Sequence, residues 1–294
     1  MDGLGMYVSP QVAEIIHFPF PVSKKMSVAE TFHLRELIEL EDYYEDYFLM
    51  DISLDGVQLY RGSGKKLTVI ENKDFPRLFR DDYEYQRSQP LGKGHGYGLK
   101  NAEGDKSAVI DERFEKFLKE TDKALDPYLK NNELLLLSGV NEELGCFQKI
   151  SRHNNKVAGR VTGSHAHTRL VDLGEEACEK IMNARKKLAL ETVKQITEEF
   201  GRNMAVTGID NAWKAAKEGK GRFLIVEKDY VQTGFVKPNV EHLFLEPPAE
   251  IHDILDDAVE AIISTVIDKD GRIMIVENGT LDKSNRIALL LRYP

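Results

Sequence analysis

Apolar positions along this chain follow two periods, and the switches between them mark its elements. Residues 3–22 (GLGMYVSPQVAEIIHFPFPV) alternate about Ser9-Pro10, which predicts two short strands joined by a turn. They have no partner strands before them, so the chain is expected to begin inside a unit, as a truncated protein would. Residues 28–40 and the acidic, aromatic stretch ELEDYYEDY follow. Residues 47–71 alternate again around Asp55-Gly56 and Gly62-Ser63-Gly64, the pattern of three antiparallel strands with tight turns. Residues 111–130 shift to the helical period, with Phe114, Phe117, Leu118, Thr121, Leu125, Tyr128 and Leu129 on one face.

The run ELLLLSGV (133–140) is apolar without interruption, which predicts a strand buried on both faces, central and parallel to a neighbour. A helix over 143–151, a strand over 156–163 and a long helix over 175–200 complete this part. Ile181, Ala184, Leu188, Val193, Ile196 and Phe200 are the expected core contacts of the long helix. A new unit begins near 205. Asp210 is placed to cap a helix ending at Gly219, and GRFLIVE (221–227) reads as a strand. The Pro-rich segment 238–248 leads to a helix over 253–267, with Leu255, Ala258, Val259, Ile262 and Val266 on its apolar face. Asp270-Gly271 introduces the strand RIMIV, and Asn278-Gly279 turns the chain into a last strand, RIALLLRY. The fold class is α/β (α+β), with a small α/β/α sandwich at the end. The expected division is an N-terminal segment (1–40), a middle unit (41–202) and a C-terminal unit (203–294).

Between the hairpin strands and the helix lies QPLGKGHGYGLKNAEGDKS (89–107). Gly92, Gly94, Gly96 and Gly98 alternate with Lys93, His95 and Tyr97, and Lys100 follows. Glycine buries no side chain and loses the most backbone entropy on ordering, so this segment is expected to be a loop rather than a core element. A loop of this length is functional or disordered.

The 294 residues allow two domains of ordinary size. A net charge of −9 argues against a protein that coats nucleic acid non-specifically. No apolar run reaches the roughly 20 residues of a membrane helix, no signal peptide is recognisable, and the two cysteines form neither a metal spacing nor a disulfide framework. A reducing cytoplasm fits, with no membrane and no DNA among the expected partners. One local departure matters. From Leu144 to Val171 there is no acidic residue, while Lys149, Arg152, Lys156, Arg160 and Arg169 cluster there with three histidines. Such clusters are the electrostatic footprint of RNA or phosphate contact, although many are solvated surface.

Other motifs dissolve on inspection. RGSGKK (61–66) lacks the first glycine of a phosphate loop, which would fall at Leu59. It also has Lys66 where Ser or Thr belongs, so it is a hairpin turn. The glycine-rich segment has Tyr97 at the third position of a dinucleotide fingerprint. His165 and His167 offer two imidazoles without a third ligand nearby, which favours a polar loop over a metal site. Asp51, in the first strand of a ribonuclease H-like arrangement, would need partners such as Asp111, Glu112 or Asp126 to hold metals. A surface or turn-capping Asp51 is the simpler reading. No cofactor is implied.

FHLRELI (32–38), YFLMDISLDGVQLYRGSGKKLTVI (47–70), the loop and helix that follow, LLLLSGV (134–140) and GRIMIVENGTLDKSNRIALLLRY (271–293) together resemble the archaeo-eukaryotic peptide-chain release factors and pelota, and in particular the bacterial members of that superfamily. The resemblance covers nearly the whole chain. It implies a ribonuclease H-like middle domain without nuclease chemistry and a last domain similar to ribosomal kink-turn-binding proteins. It also implies ribosomes or structured RNA (tRNA, rRNA) as partners, with a translational GTPase as a further candidate. Release factors of this family carry a Gly-Gly-Gln tripeptide in the loop corresponding to GKGHGYG. Here it is missing, and Gln86 and Gln89 lack the paired glycines. The expected function is therefore a ribosome-associated factor without a catalytic residue or metal of its own. Gly92–Gly98 and Lys100 would form its contacting loop, and Lys149, Arg152, Lys156, Arg160 and Arg169 its basic patch. A peptidyl-tRNA or RNA hydrolase, using His95 or Asp51, and a protein-interaction module on a repurposed fold are the alternatives.

Overall fold

The computed structural model describes residues 2–29, 31–79, 102–165, 168–199, 204–237 and 242–293. The chain divides into two compact units, Tyr44–Arg185 and a second made of Met1–Tyr43 with Lys186–Pro294.

In the Tyr44–Arg185 unit, β3 (Tyr47–Ser53), β4 (Gly56–Ser63) and β5 (Lys66–Val69) form the antiparallel run that the turn signals predict. A two-residue strand, β6 (Arg77–Leu78), pairs with β4. β7 (Leu134–Gly139) lies parallel to β3, and β8 (Val157–Thr162) parallel to β7, giving the order β5-β4-β3-β7-β8. Three antiparallel strands extended by two parallel ones is the ribonuclease H-like arrangement.

The leucine run explains why β7 is central. Successive strand residues point to opposite faces. Leu135 and Leu137 enter a cluster with Phe114, Phe117 and Leu118 of α2 (Ala102–Ala124), together with Met50 and Ile52 of β3. Leu136 enters a second cluster on the other face, with Tyr47, Leu49 and Ile181 of α4 (Leu170–Glu199). Each leucine is fully buried, which stabilises the unit by on the order of 1.5–3 kcal/mol apiece. The strand needs a helix on each side, and α2, α3 (Asn141–Ile150) and α4 supply them.

Two expectations shift. The helix begins at Ala102 rather than 111, so AEGDKS is helical: only Gly104 in it disfavours a helix. It ends at Ala124, and Tyr128 and Leu129 sit in the turn that Pro127 enforces. On α4, Ile181 is buried as expected but Leu188 is 52% exposed, while Val193, Ile196 and Phe200 lie outside the residues whose side chains are described.

In the second unit, β10 (Gly221–Glu227) pairs parallel with β14 (Arg272–Val276) and antiparallel with β15 (Ile287–Leu291), which in turn pairs with β9 (Ala205–Thr207). Leu224 and Val226 face α5 (Ile209–Lys217) and α6 (Ala258–Asp268). Ile225 faces the other way, onto Val276 and Leu281. The Pro-rich connection is more structured than its composition suggests. It contributes β12 (Leu243–Phe244) to a three-stranded sheet in the order β12-β11-β13, whose other strands, β11 (Gly234–Val236) and β13 (Asp253–Leu255), flank it in the chain. Leu255 therefore belongs to a strand, and α6 starts later than expected, with Asp257 accepting a hydrogen bond from the Val259 N–H as its cap. Asp210 lies inside the first turn of α5, because Gly208 holds the cap position.

The N-terminal strands β1 (Gly3–Val8) and β2 (Ala13–Phe18) form the expected antiparallel hairpin. Tyr7 packs edge-on to Phe32, and Phe20 packs against Phe18 and against Tyr43 of α1 (Arg35–Tyr44).

Gly139 ends β7 at φ +142°, and a Cβ there would collide with the Ile52 carbonyl oxygen. Gly139→Ala is expected to destabilise the chain by about 1–3 kcal/mol in urea unfolding, whereas Gly145→Ala, where a Cβ meets open space on α3, should be neutral or stabilising.

Candidate functional site

The glycine-rich segment connects β6 to α2. Gly92, Lys93, Gly94, His95, Gly96, Tyr97, Gly98 and Lys100 themselves lie outside the described residues.

The basic segment runs from the end of α3 through a 3₁₀ turn (Asn154–Lys156) and β8 to the start of α4. Lys149 stands in the last turn of α3, where a cation favours the negative end of the helix dipole. Its five cations are not equivalent. Arg152 Nε is 3.0 Å from Asp122 Oδ2, and its terminal nitrogen is 3.1 Å from Asp126 Oδ1. Arg169 forms a two-pronged pair with Asp172. Lys156 Nζ donates to the Asn131 carbonyl. Lys149 and Arg160 have no ion pair among the described residues, and both are exposed. The acid-free stretch is thus partly neutralised by carboxylates that sequence proximity hides, since Asp122 and Asp126 lie on or just after α2.

Asp122 is the centre of this arrangement. Its side chain is 3% exposed. Oδ1 accepts from Ser151 Oγ at 2.7 Å and sits 3.0 Å from His153 Nδ1, while Oδ2 accepts from the Arg152 backbone N–H and guanidinium. The other ring nitrogen of His153 is 3.1 Å from Asp126 Oδ1. Burial is the largest single influence on the Asp122 carboxyl and favours its neutral form. The hydrogen bonds from Ser151, His153 and Arg152 together outweigh it and hold the pKa below the usual aspartate value. Sequence could have flagged this residue: Asp122 falls four after Leu118 and three before Leu125, on the apolar stripe of the helix.

Asp51 and Ser138 are register partners on β3 and β7, and Ser138 Oγ donates to Asp51 Oδ1 at 2.6 Å. The Glu143 carboxylate is turned to the Val140 N–H, at the start of α3. Asp111 and Glu112 are exposed on α2, and Asp126 is taken by Arg152 and His153. No three carboxylates converge around Asp51 among the described residues. His165 lies in the loop before α4, near Thr168 Oγ1, and His167 is outside the described residues.

In the other unit, sequence reading missed a buried charge cluster. Arg35 reaches Asp257 Oδ2 at 2.7 Å and lies 3.1 Å from Glu260 Oε2, with His33 Nδ1 3.7 Å from the same oxygen. Three potential ligand side chains, His33, Asp257 and Glu260, are close together there. The Arg35 guanidinium already supplies the positive charge, which makes the cluster a poor cation site. Partners more than 200 residues apart leave no local signal in the sequence.

Among the described residues, no helix is long and apolar enough to cross a membrane. The family model of bacterial archaeo-eukaryotic release factor family 3 matches residues 46–220. No curated protein matches the chain. Solved structures similar to it include Archaeoglobus fulgidus Pelota (14% identity, 89% of this chain and 69% of that one, TM-score 0.43). A model of ribosome-bound archaeal Pelota and ABCE1 is similar at 13% identity over 99% and 76% of the two chains, TM-score 0.46. S. cerevisiae Dom34, described as a translation termination-like factor interacting with Hbs1, is similar at 16% identity over 84% and 63%, TM-score 0.41.

Asp122→Asn is expected to lower stability at pH 7 by about 2–3 kcal/mol, because charge-assisted bonds to a buried carboxylate are lost. The folded pKa of Asp122 is depressed, so its contribution is complete above the unfolded value of about 3.9 and disappears as pH falls through the folded value. Urea unfolding of both proteins from pH 7 downward should show the gap between them closing only below about pH 4.

Proposed function

The chain belongs to bacterial archaeo-eukaryotic release factor family 3, and from that premise we propose that it is a translation factor that associates with ribosomes or structured RNA and has no hydrolytic centre of its own. The observation that carries this reading is the exchange of chemistry within the family-matched span. Where related release factors hold Gly-Gly-Gln, this chain holds Gly-Lys-Gly-His-Gly-Tyr-Gly, which offers cations, a hydroxyl and a stacking ring. The state of Asp51 supports it: its carboxylate accepts a hydrogen bond from Ser138, and although Glu143 is near, no group of three metal-ligating side chains forms around it among the described residues. In this reading residues 41–202 make the RNA-facing part and residues 203–294 a partner-binding part. The 1–40 segment serves as an accessory, a translational GTPase is a candidate partner, and the cytoplasm is the place of action.

Lys93 and Lys100 of the glycine-rich segment would meet rRNA or tRNA phosphates together with Lys149 and Arg160. Arg152, Lys156 and Arg169 contribute less, because each is already engaged. Phosphate contacts of this kind position a protein without reading sequence.

Co-sedimentation with 70S ribosomes across a salt series tests the proposal. Four phosphate contacts give a log–log salt slope of roughly −3. The Lys93→Ala/His95→Ala/Lys100→Ala variant should bind more weakly, with a slope shallower by about two. Absence of binding at low salt would sink the proposal and favour a repurposed interaction module.

A further inference from the structure

The second unit holds a cleft of about 1120 Å³ whose chemistry is opposite to that of the basic segment. One wall is β13, and Asp253, Ile254 and Leu255 all line it. β13 pairs only with β11, so its outer edge has no strand against it among the described residues. Unpaired strand edges present a row of free backbone donors and acceptors. Ile254 is 63% exposed on this edge, and Ile251, just before it, is 87% exposed.

Charge selects what can pair there. Between Lys237 and Lys269 the sequence contains no lysine or arginine, but eight acidic residues: Glu241, Glu246, Glu250, Asp253, Asp256, Asp257, Glu260 and Asp268. Asp257 and Glu260 share a single ion-pair partner, Arg35 at the start of α1. Asp253, Asp256 and Asp268 line the same cleft and have no ion pair among the described residues. Of the two lysines of the cleft, Lys237 pairs with Glu250 at 2.8 Å, while Lys217 lies over the Trp213 ring at 4.8 Å and leaves one positive charge against the three aspartates. Within the wall, the Glu260 side chain is only 5% exposed, and its Oε2 meets Arg35 Nε at 3.1 Å and His33 Nδ1 at 3.7 Å.

We infer that this cleft receives an extended segment of a protein partner in which lysine or arginine alternates with aliphatic residues, added as a strand to the edge of β13. The partner's backbone would complete the ladder, its aliphatic side chains would lie on Ile254, and its basic ones would meet Asp253, Asp256 and Asp268 around the cleft. The same carboxylates repel nucleic acid. A free polyamine would satisfy the charge but neither the strand edge nor Ile254, so the combination favours a peptide. The inference stands on the unit that does not contain the glycine-rich and basic segments, and ribosome binding neither supports nor weakens it.

Trp213, the sole tryptophan of the chain, lines the cleft and provides the readout. The full chain should be titrated with a synthetic peptide alternating Lys and Val, and its tryptophan emission followed. The expected result is a saturable, salt-sensitive shift. It should be weakened about tenfold or more in an Asp253→Asn/Asp256→Asn/Asp268→Asn variant, which changes only exposed side chains. It should also be lost when alternate peptide nitrogens are methylated, which removes the ladder donors. Equal binding of spermine or of the methylated peptide would reduce the cleft to a simple cation attractor and overturn the inference. So would unchanged binding by the triple variant, binding of an RNA oligonucleotide instead, or no shift at all.

Discussion

The parallel pairing of β3 with β7 is the constraint on which the Tyr44–Arg185 unit depends. A strand reading Leu-Leu-Leu-Leu is apolar on both faces, so it is stable only where helices cover both sides. That requirement fixes α2 and α3 on one face and α4 on the other, and it sets the register that opposes Asp51 to Ser138. The residue that could have begun a metal site is thereby half of a part-buried hydrogen bond across the central strands. β6 and α2, the described elements on either side of the glycine-rich segment in the chain, are anchored to the same sheet and core.

Electrostatics divide the labour in the chain. A net charge of −9 leaves little room for a generic nucleic-acid surface, and even the acid-free stretch has much of its charge balanced by Asp122, Asp126 and Asp172. Within that stretch, Lys149 and Arg160 are left exposed and without an ion pair among the described residues. Such an arrangement suits a factor that docks at a defined place better than one that slides along RNA. The acidic cleft of the other unit carries the complementary bias, toward basic peptide rather than phosphate.

Most of the fold was legible because it rests on local signals. Asp55-Gly56 marks a hairpin, an uninterrupted leucine run marks a central strand, and the 3.6 period of Phe114, Phe117 and Leu118 marks a helix packed on it. The small sheet of β11, β12 and β13 was not legible, since its strands are two or three residues long and sit among prolines, too short for a period to show. The candidate site was legible only as composition. Which arginines are free depends on Asp122 and Asp126, some 26 to 30 residues away. Likewise Arg35 meets Asp257 across 222 residues of chain, where no sequence spacing can announce the pair. Asp122 went unread although a signal was there, a carboxylate on the apolar stripe of its helix.

The most direct measurement is site-specific photocross-linking of the full chain bound to ribosomes. A photoreactive residue would be placed at Tyr97 and, as a reference, at Leu54 in the exposed hairpin turn. Contact through the glycine-rich segment predicts cross-links to ribosomal RNA or tRNA from position 97 and none from position 54. Chains that sediment with ribosomes yet cross-link from position 54 alone, or equally from both, would contradict it.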